Sequence, residues 1–126
     1  MIKSIIGIAF DCPCASELAD FYVNLSGWKK ELFTEEWAAI RTPHGMLMVF
    51  QTVADYEPPV WPWQKDKQQQ MAHIDFYVNN LEESVAEAIR FGATKADVQY
   101  FDTSTVMLDP AGHPFCLSTV LHESPQ

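Results

Sequence analysis

The hydrophobic positions of residues 5 to 52 predict one strand, one helix and then three more strands. A β-branched and aromatic run over residues 5–10 is typical of a buried strand. In the helix that follows, the Ser16 side chain can accept a hydrogen bond from a free N–H group of the first turn, and Gly27 can adopt the left-handed conformation that ends a helix. The apolar stripe of this helix consists of Leu18, Phe21, Tyr22 and Leu25. The later strands are predicted at residues 28–33, 37–41 and 46–51, with a Pro/Gly turn between the last two.

Residues 73 to 120 repeat this order of elements. Residues 73–78 predict a strand, and Asn80 with Glu83 three positions later predicts a capped helix that ends at Gly92. The apolar stripe of this second helix consists of Leu81, Val85, Ala88 and Ile89. Three more strands are predicted at residues 93–99, 104–109 and 114–120, the last two joined by the hairpin "DPAGHP". The sequence therefore predicts two copies of one β-α-β-β-β module.

The length of the chain, 126 residues, is that of one ordinary domain. Each module alone is too short to enclose a hydrophobic core, so the two are expected to form one α+β domain over residues 1–126. The modules are predicted at about residues 4–52 and 72–121. Between them, residues 53–71 are rich in proline and polar residues and are interpreted as a linker.

Composition excludes several classes of protein. Hydrophobic residues make up 48% and charged residues 20%, which is typical of a globular protein. The net charge of −9 would repel a phosphate backbone, so nucleic acid is not expected as a partner, whereas a cationic small molecule would be attracted. No apolar run approaches the roughly 20 residues of a membrane helix, and the N-terminus does not resemble a secretory signal. A cytoplasmic protein without a membrane partner is expected.

The three cysteines predict reduced thiols rather than a disulfide scaffold. Cys12, Cys14, His113 and Cys116 could in principle gather a zinc ion, but their spacing is unlike that of structural zinc sites. Cys116 and His113 do not predict a nucleophile and base, because residues three apart on a strand point to opposite faces. The sequence also contains neither a nucleophile elbow nor a glycine-rich phosphate loop.

The four tryptophans exceed what a minimal core of this size needs. Trp28 follows the end of the first helix, where a buried ring is usual. Trp37, Trp61 and Trp63 have two interpretations: they pack in the interior, or they face a ligand or a second subunit.

Four segments together resemble the vicinal oxygen chelate superfamily, which contains glyoxalase I, bleomycin-resistance proteins and extradiol dioxygenases. These segments are "AFDCP", "LADFYVNLSGW", "AHIDFYVNNLEESV" and "LDPAGHPFCL". The resemblance runs from about residue 5 to residue 120 and is nearest to the glyoxalase-like branch. It implies that the two modules curl into a half-open barrel around a cavity, commonly in a homodimer. Sheet edges left exposed in a monomer also favour a two-fold dimer.

The resemblance further implies a divalent metal ion held at positions that correspond to Ile6, Gln51, His73 and Cys116. Isoleucine cannot coordinate a metal, Gln51 is a weak neutral ligand, and Cys116 is a soft substitute for a carboxylate. We therefore expect no cofactor, and His73 and Gln51 remain weak candidates for binding a divalent metal. His73 is more simply explained as a hydrogen-bonded or cavity-lining residue, with Asp75 on the same strand face as its partner.

The residues and the resemblance leave two functions open. The first is a small-molecule-binding protein with a degenerate metal site that sequesters or senses a cationic or aromatic compound, in the manner of bleomycin-resistance proteins. The alternative is a metal-dependent lyase, isomerase or dioxygenase of the glyoxalase type. The expected ligand-binding residues are Gln51, His73, Cys116, Trp37, Asp75, Trp61 and Trp63.

Overall fold

A computed structural model of the chain describes residues 1 to 121 and shows the same order of elements twice. The first module contains β1 (Gly7–Cys12), α1 (Ala15–Ser26), β2 (Lys29–Phe33), β3 (Trp37–Arg41) and β4 (Leu47–Thr52). The second contains β5 (Ile74–Tyr77), α2 (Leu81–Arg90), β6 (Thr94–Lys95), β7 (Ser104–Leu108) and β8 (Pro114–Ser118). The predicted α+β class and the tandem β-α-β-β-β modules are confirmed. Within the described residues, no helix is long and apolar enough to cross a membrane.

Each module forms its own four-stranded sheet with the same topology. The strand order is β1-β4-β3-β2 in the first sheet and β5-β8-β7-β6 in the second. In both, the first strand runs parallel to the last, and the remaining pairs are antiparallel. This topology places the first and last strands of a module side by side, so that residues far apart in sequence become neighbours. The chain forms two compact units, Met1–Glu57 and a second that begins at Pro58.

One face of each sheet packs against the helix of its module. In the first, Phe50 of β4 is fully buried, and its ring stacks on Tyr22 of α1 with ring centroids 5.4 Å apart. In the second, Phe115 and Leu117 of β8 are buried, and the Phe76 ring meets Phe115 edge to face. Since side chains alternate along a strand, the residues between these belong to the opposite face of each sheet.

The helix ends follow the sequence-based predictions at three points and depart from them at one. Asn80 caps α2 by accepting a hydrogen bond from the Glu83 N–H at 3.0 Å. Gly27 ends α1 in the left-handed conformation, and Gly92 follows the last turn of α2 with a positive φ. The predicted capping role of Ser16 is wrong, because α1 begins one residue before it, at Ala15. That first N–H donates instead to the Thr52 hydroxyl, at 2.9 Å.

The strand predicted over residues 93–99 is much shorter in the structure, where β6 spans only Thr94–Lys95. The backbone stays beside β7 for one further hydrogen bond, from Ala96 N to Val106 O at 3.0 Å. Beyond it, the Gln99 side chain takes the place of a strand. Its amide nitrogen donates to the Val106 carbonyl, and its oxygen accepts from the Val106 N–H, each at 2.8 Å. The backbone of the following residues is therefore released from the sheet.

Candidate functional site

A cavity of about 460 Å³ lies in the second unit, and the described residues that line it belong to that unit. Cys116 and Ser118 line it and alternate along β8 with the buried Phe115 and Leu117, so they belong to the sheet face opposite the core. Asp75 of β5, which pairs with Cys116, lines the cavity from the same face. A volume of this size is within the usual range of small-molecule sites, roughly 300 to 1,000 Å³.

Three polar side chains form a cluster in this cavity. Asp75 of β5 is directly opposite Cys116 of β8 in the parallel register, and His73 lies two residues before Asp75. The His73 Nε2 and Asp75 Oδ1 atoms are 3.1 Å apart, so the expected partnership of these two residues is confirmed. One ligand atom from each of the three residues lies within 4.8 Å of the other two. The Asp75 carboxylate thus contacts both the imidazole of His73 and the thiol of Cys116.

The environment of Cys116 disfavours its thiolate. The pKa of this thiol is raised from 9.0 to about 11, mainly by burial and further by the negative charge of Asp75 and a hydrogen bond to Asp75. At neutral pH the group is therefore a thiol that donates to the Asp75 carboxylate. Cysteine nucleophiles act as thiolates, so Cys116 is poorly prepared for nucleophilic attack.

The cluster can be tested as a metal site by its donor atoms. An imidazole, a carboxylate and a thiolate make three protein ligands, the number usual in catalytic zinc sites, and all three donor types bind zinc. Magnesium and manganese prefer oxygen donors and fit the set less well. His73, Asp75 and Cys116 therefore fit zinc, on the condition that Cys116 loses its proton.

Aromatic side chains form one wall of the cavity, and we call Trp61, Tyr100 and Phe101 the aromatic wall. The Trp61 indole N–H donates to the Val98 carbonyl at 3.3 Å, and its ring meets that of Tyr100 at 79° with centroids 6.0 Å apart. Trp63, in contrast, is 64% exposed and is absent from the described lining of this cavity. The position of Trp61 therefore favours a role that faces a ligand over packing in the interior.

Tyr100 and Phe101 were missed by sequence reasoning because they come directly after the segment predicted as a strand. The available signal was Gln99, a polar residue between Val98 and Tyr100 that can bond the neighbouring strand through its side chain. Both aromatic residues are well exposed, at 61% and 72%. Large apolar side chains in such a position are typical of a binding surface.

The predicted site residues of the first module lie together on its sheet. Gln51 of β4 pairs with Asp11 of β1 on one side and with Trp37 of β3 on the other. The Gln51 amide donates to the Asp11 carboxylate at 2.5 Å, and Trp37 is 43% exposed. The participation of Gln51 and Trp37 in ligand binding stays a prediction.

Ile6 does not correspond to His73 in the structure. Ile6 precedes β1 and is 80% exposed. By its spacing it belongs to the same face as Phe10, whose ring stacks on the buried Phe50. His73 instead shares a strand face with Asp75, and this is the face away from the core. Gly7, the residue after Ile6, is the one that matches His73, because both lie at the same distance along the chain from the helix of their module.

Comparison with known proteins decides the family. The sequence matches the model of the glyoxalase-like domain over residues 7–118. The chain belongs to the glyoxalase-like domain family. This confirms the resemblance that the sequence motifs indicate. A search of curated proteins found no match.

Solved structures of this fold are similar over almost the whole chain. An enzyme of the glyoxalase/bleomycin resistance protein/dioxygenase family from Burkholderia phytofirmans has 15% identity and a TM-score of 0.71, with 94% of this chain and 100% of that chain covered. A glyoxalase family protein from Enterococcus faecalis has 18% identity and a TM-score of 0.67, with 93% and 98% covered. The fosfomycin resistance protein FosX from Listeria monocytogenes has 13% identity and a TM-score of 0.68, with 94% and 93% covered. At these identities the likeness shows the fold, while function depends on the site residues.

Proposed function

We propose that this glyoxalase-like protein binds a small, partly aromatic or cationic compound in the cavity of its second unit, to sequester or sense it. The observation that carries the proposal is a cavity of about 460 Å³ that combines an aromatic wall with one polar cluster. Ligand sites are typically apolar and aromatic, with a few polar groups that fix the orientation of the ligand.

The charges around the cavity favour a neutral or cationic ligand over an anion. Of the described residues that line it, none is lysine or arginine. Its carboxylate, Asp75, is 63% exposed and already contacts the one imidazole present, that of His73. An anionic ligand would therefore find little positive charge, and the net charge of −9 would repel it.

A thermal-shift screen with cationic antibiotics, thiol adducts and catechols, each with and without divalent ions, tests binding directly. A ligand that binds only the folded state raises the melting temperature. We expect a cationic or aromatic compound to give a shift without added metal, and His73→Ala to weaken that ligand by about five- to a hundred-fold. His44→Ala, which removes an exposed histidine of the first module, is the matched control and should leave binding unchanged. A screen in which no class of compound shifts the melting temperature would contradict the proposal.

The second candidate function is a metal-dependent lyase, isomerase or dioxygenase of the glyoxalase type. The specific observation in its favour is the proximity of His73, Asp75 and Cys116. A bound zinc ion would supply Lewis-acid chemistry, and these residues would hold it. Metal analysis of protein purified without chelator separates the two candidates. Near-stoichiometric zinc that is lost in His73→Ala and retained in His44→Ala would favour the enzyme.

The proposal also includes a cytoplasmic homodimer, with both modules in one domain. Exposed apolar residues on the edge strand β1 and in the segment before it support association, because such edges tend to pair. The apolar residues concerned are Ile2, Ile5, Ile6 and Ile8. Light scattering at micromolar concentration should give twice the chain mass of 14.3 kDa, and a single species at the chain mass would contradict the dimer.

A further inference from the structure

We propose that the corner between Trp61 and Tyr100 recognises a methylated ammonium group, with Asp75 as its counter-charge. The inference rests on the proposed function and specifies the chemical class of its ligand. It is supported by three features of the same cavity: the arrangement of the two rings, the charges that line the cavity, and the anchoring of the aromatic segment.

The two rings have a geometry that suits a cation. They meet at 79° with centroids 6.0 Å apart, so a group placed in the corner contacts both. A cation within about 6 Å of a ring centroid is attracted by the electron-rich face, most strongly by that of tryptophan. The Trp61 N–H is already donated to the Val98 carbonyl, so the ring contributes its π face and edge rather than a donor. Tyr77 and Phe101 line the same cavity and add aromatic surface.

The polar groups of the cavity suit an ammonium that carries methyl groups in place of hydrogens. Asp75 is the one acidic residue among the described residues that line the cavity, so the negative charge of the cavity lies on its carboxylate. A methylated ammonium has few or no N–H groups to satisfy, and it needs a diffuse negative environment rather than a set of acceptors. Aromatic faces with one nearby carboxylate provide that environment.

The aromatic segment is held in place before any ligand arrives. Gln99 makes three hydrogen bonds of 2.8 Å, to the backbone of Ala96 and Val106, and so fixes the segment that carries Tyr100. Trp61 fixes the same segment from the other side through Val98. A wall ordered in advance lowers the entropy lost on binding.

Isothermal titration with choline and with 3,3-dimethylbutan-1-ol tests the inference, because the alcohol has the shape of choline without its charge. We expect choline to bind about two- to thirty-fold more tightly than the alcohol, the range that a cation–π contact supplies. Trp61→Leu and Tyr100→Leu should each reduce the preference for choline over the alcohol. Phe33→Leu removes an exposed aromatic ring of the first module that does not line the cavity, and it should leave choline binding unchanged.

The variants also separate loss of binding from loss of folding. Trp61→Phe retains an aromatic face and should retain most of the preference for choline, with a melting temperature that shows the protein to be folded. Equal binding of choline and the alcohol, with both weakened in Trp61→Leu, would overturn the ammonium inference and leave the ligand-binding function intact. Failure of choline to bind in a protein that binds another compound of the screen would overturn it as well.

Discussion

The two modules have the same topology and differ mainly in their edge strands, and this difference creates the cavity wall. In the first module β2 spans five residues, Lys29–Phe33, whereas β6 of the second ends after two, Thr94–Lys95. The Gln99 side chain completes the sheet where β6 has ended, and the chain that follows carries Tyr100 and Phe101 into the cavity lining. A shortened edge strand has thus released a segment for ligand contact without loss of the scaffold.

A second comparison concerns the first and last strands, where each module places an acid beside a polar residue. Asp11 pairs with Gln51 in the first module, and Asp75 pairs with Cys116 in the second. The amide of Gln51 donates to Asp11, whereas the thiol of Cys116 donates to an acid that also contacts His73. The paired first and last strands therefore provide an amide–carboxylate pair in one module and a cluster of three titratable groups in the other.

The largest expected effect on stability comes from substituting the glycines in the hairpins before β4 and β8. Gly112 and Gly45 both have positive φ, but a Cβ at Gly112 would lie 2.8 Å from the Pro58 Cβ, while one at Gly45 would meet nothing within 4 Å. Gly45→Ala should cost about 1 kcal/mol of the free energy of unfolding from backbone strain. Gly112→Ala should cost about 2 to 4 kcal/mol, since overpacking adds to that strain. Equal losses in urea unfolding would show that Pro58 does not pack as described.

The titration of Cys116 tests the cluster of the second module. Asp75→Asn removes the charge that helps to hold the pKa of Cys116 near 11, so the pH midpoint of iodoacetamide alkylation should fall, while burial keeps it above 9.0. The measurement is made in a Cys14→Ser background, where Cys12 is fully buried. Asp102→Asn removes an exposed acid that does not line the cavity, so it is the control and should leave the midpoint unchanged. A midpoint that does not move in Asp75→Asn would remove Asp75 as a cause.

The same shift predicts how stability depends on pH. Because the pKa of Cys116 is raised in the folded protein, the folded state holds its proton between pH 9.0 and about 11 while the unfolded state has lost it. The free energy of unfolding attributable to this group is therefore unchanged below pH 9.0 and falls as the pH rises towards 11. Cys116→Ala should flatten that decline in urea unfolding measured over this pH range. An equal decline in both proteins would assign it to other groups.

Substitution of Gln99 should reduce the free energy of unfolding more than substitution of Gln51. Gln99→Met leaves the Val106 N–H without its partner in a buried strand and should cost about 1 to 3 kcal/mol. Gln51→Met removes an exposed hydrogen bond to Asp11 and should change the free energy of unfolding by less than about 0.5 kcal/mol. Urea unfolding of both variants measures the difference. A smaller loss in Gln99→Met than in Gln51→Met would contradict the role of Gln99 as the anchor of the wall.

The helix starts should show the smallest effects. Asn80 caps α2 with its side chain, so Asn80→Ala should cost about 1 kcal/mol. Cys14, at the corresponding position of α1, has extended dihedral angles but makes no capping bond with its side chain. Cys14→Asn should therefore raise the free energy of unfolding, by up to about 1 kcal/mol. A loss of stability in Cys14→Asn would show that the cysteine has a packing role that the cap does not replace.

Much of the fold could be predicted from sequence, because alternating apolar strands, the Asn80 cap and the Gly27 stop are local signals with direct structural meaning. The contact of Asp75 with His73 was likewise foreseeable from their spacing on one strand. The proximity of Asp75 to Cys116 was not, since it depends on the register of two strands about forty residues apart. The aromatic wall was missed for a similar reason, because a side chain rather than the backbone completes the sheet at Gln99.

The central claim, that the cavity of the second unit is the ligand site, is tested most directly by the indole N–H signals of the four tryptophans in a two-dimensional NMR titration. Benzyltrimethylammonium, which is both aromatic and cationic, is the probe, and the missing signal in Trp61→Phe assigns Trp61. We expect the Trp61 signal to shift progressively and to saturate as the probe binds. A Trp61 signal that stays in place while those of Trp28 or Trp37 move and saturate would contradict it.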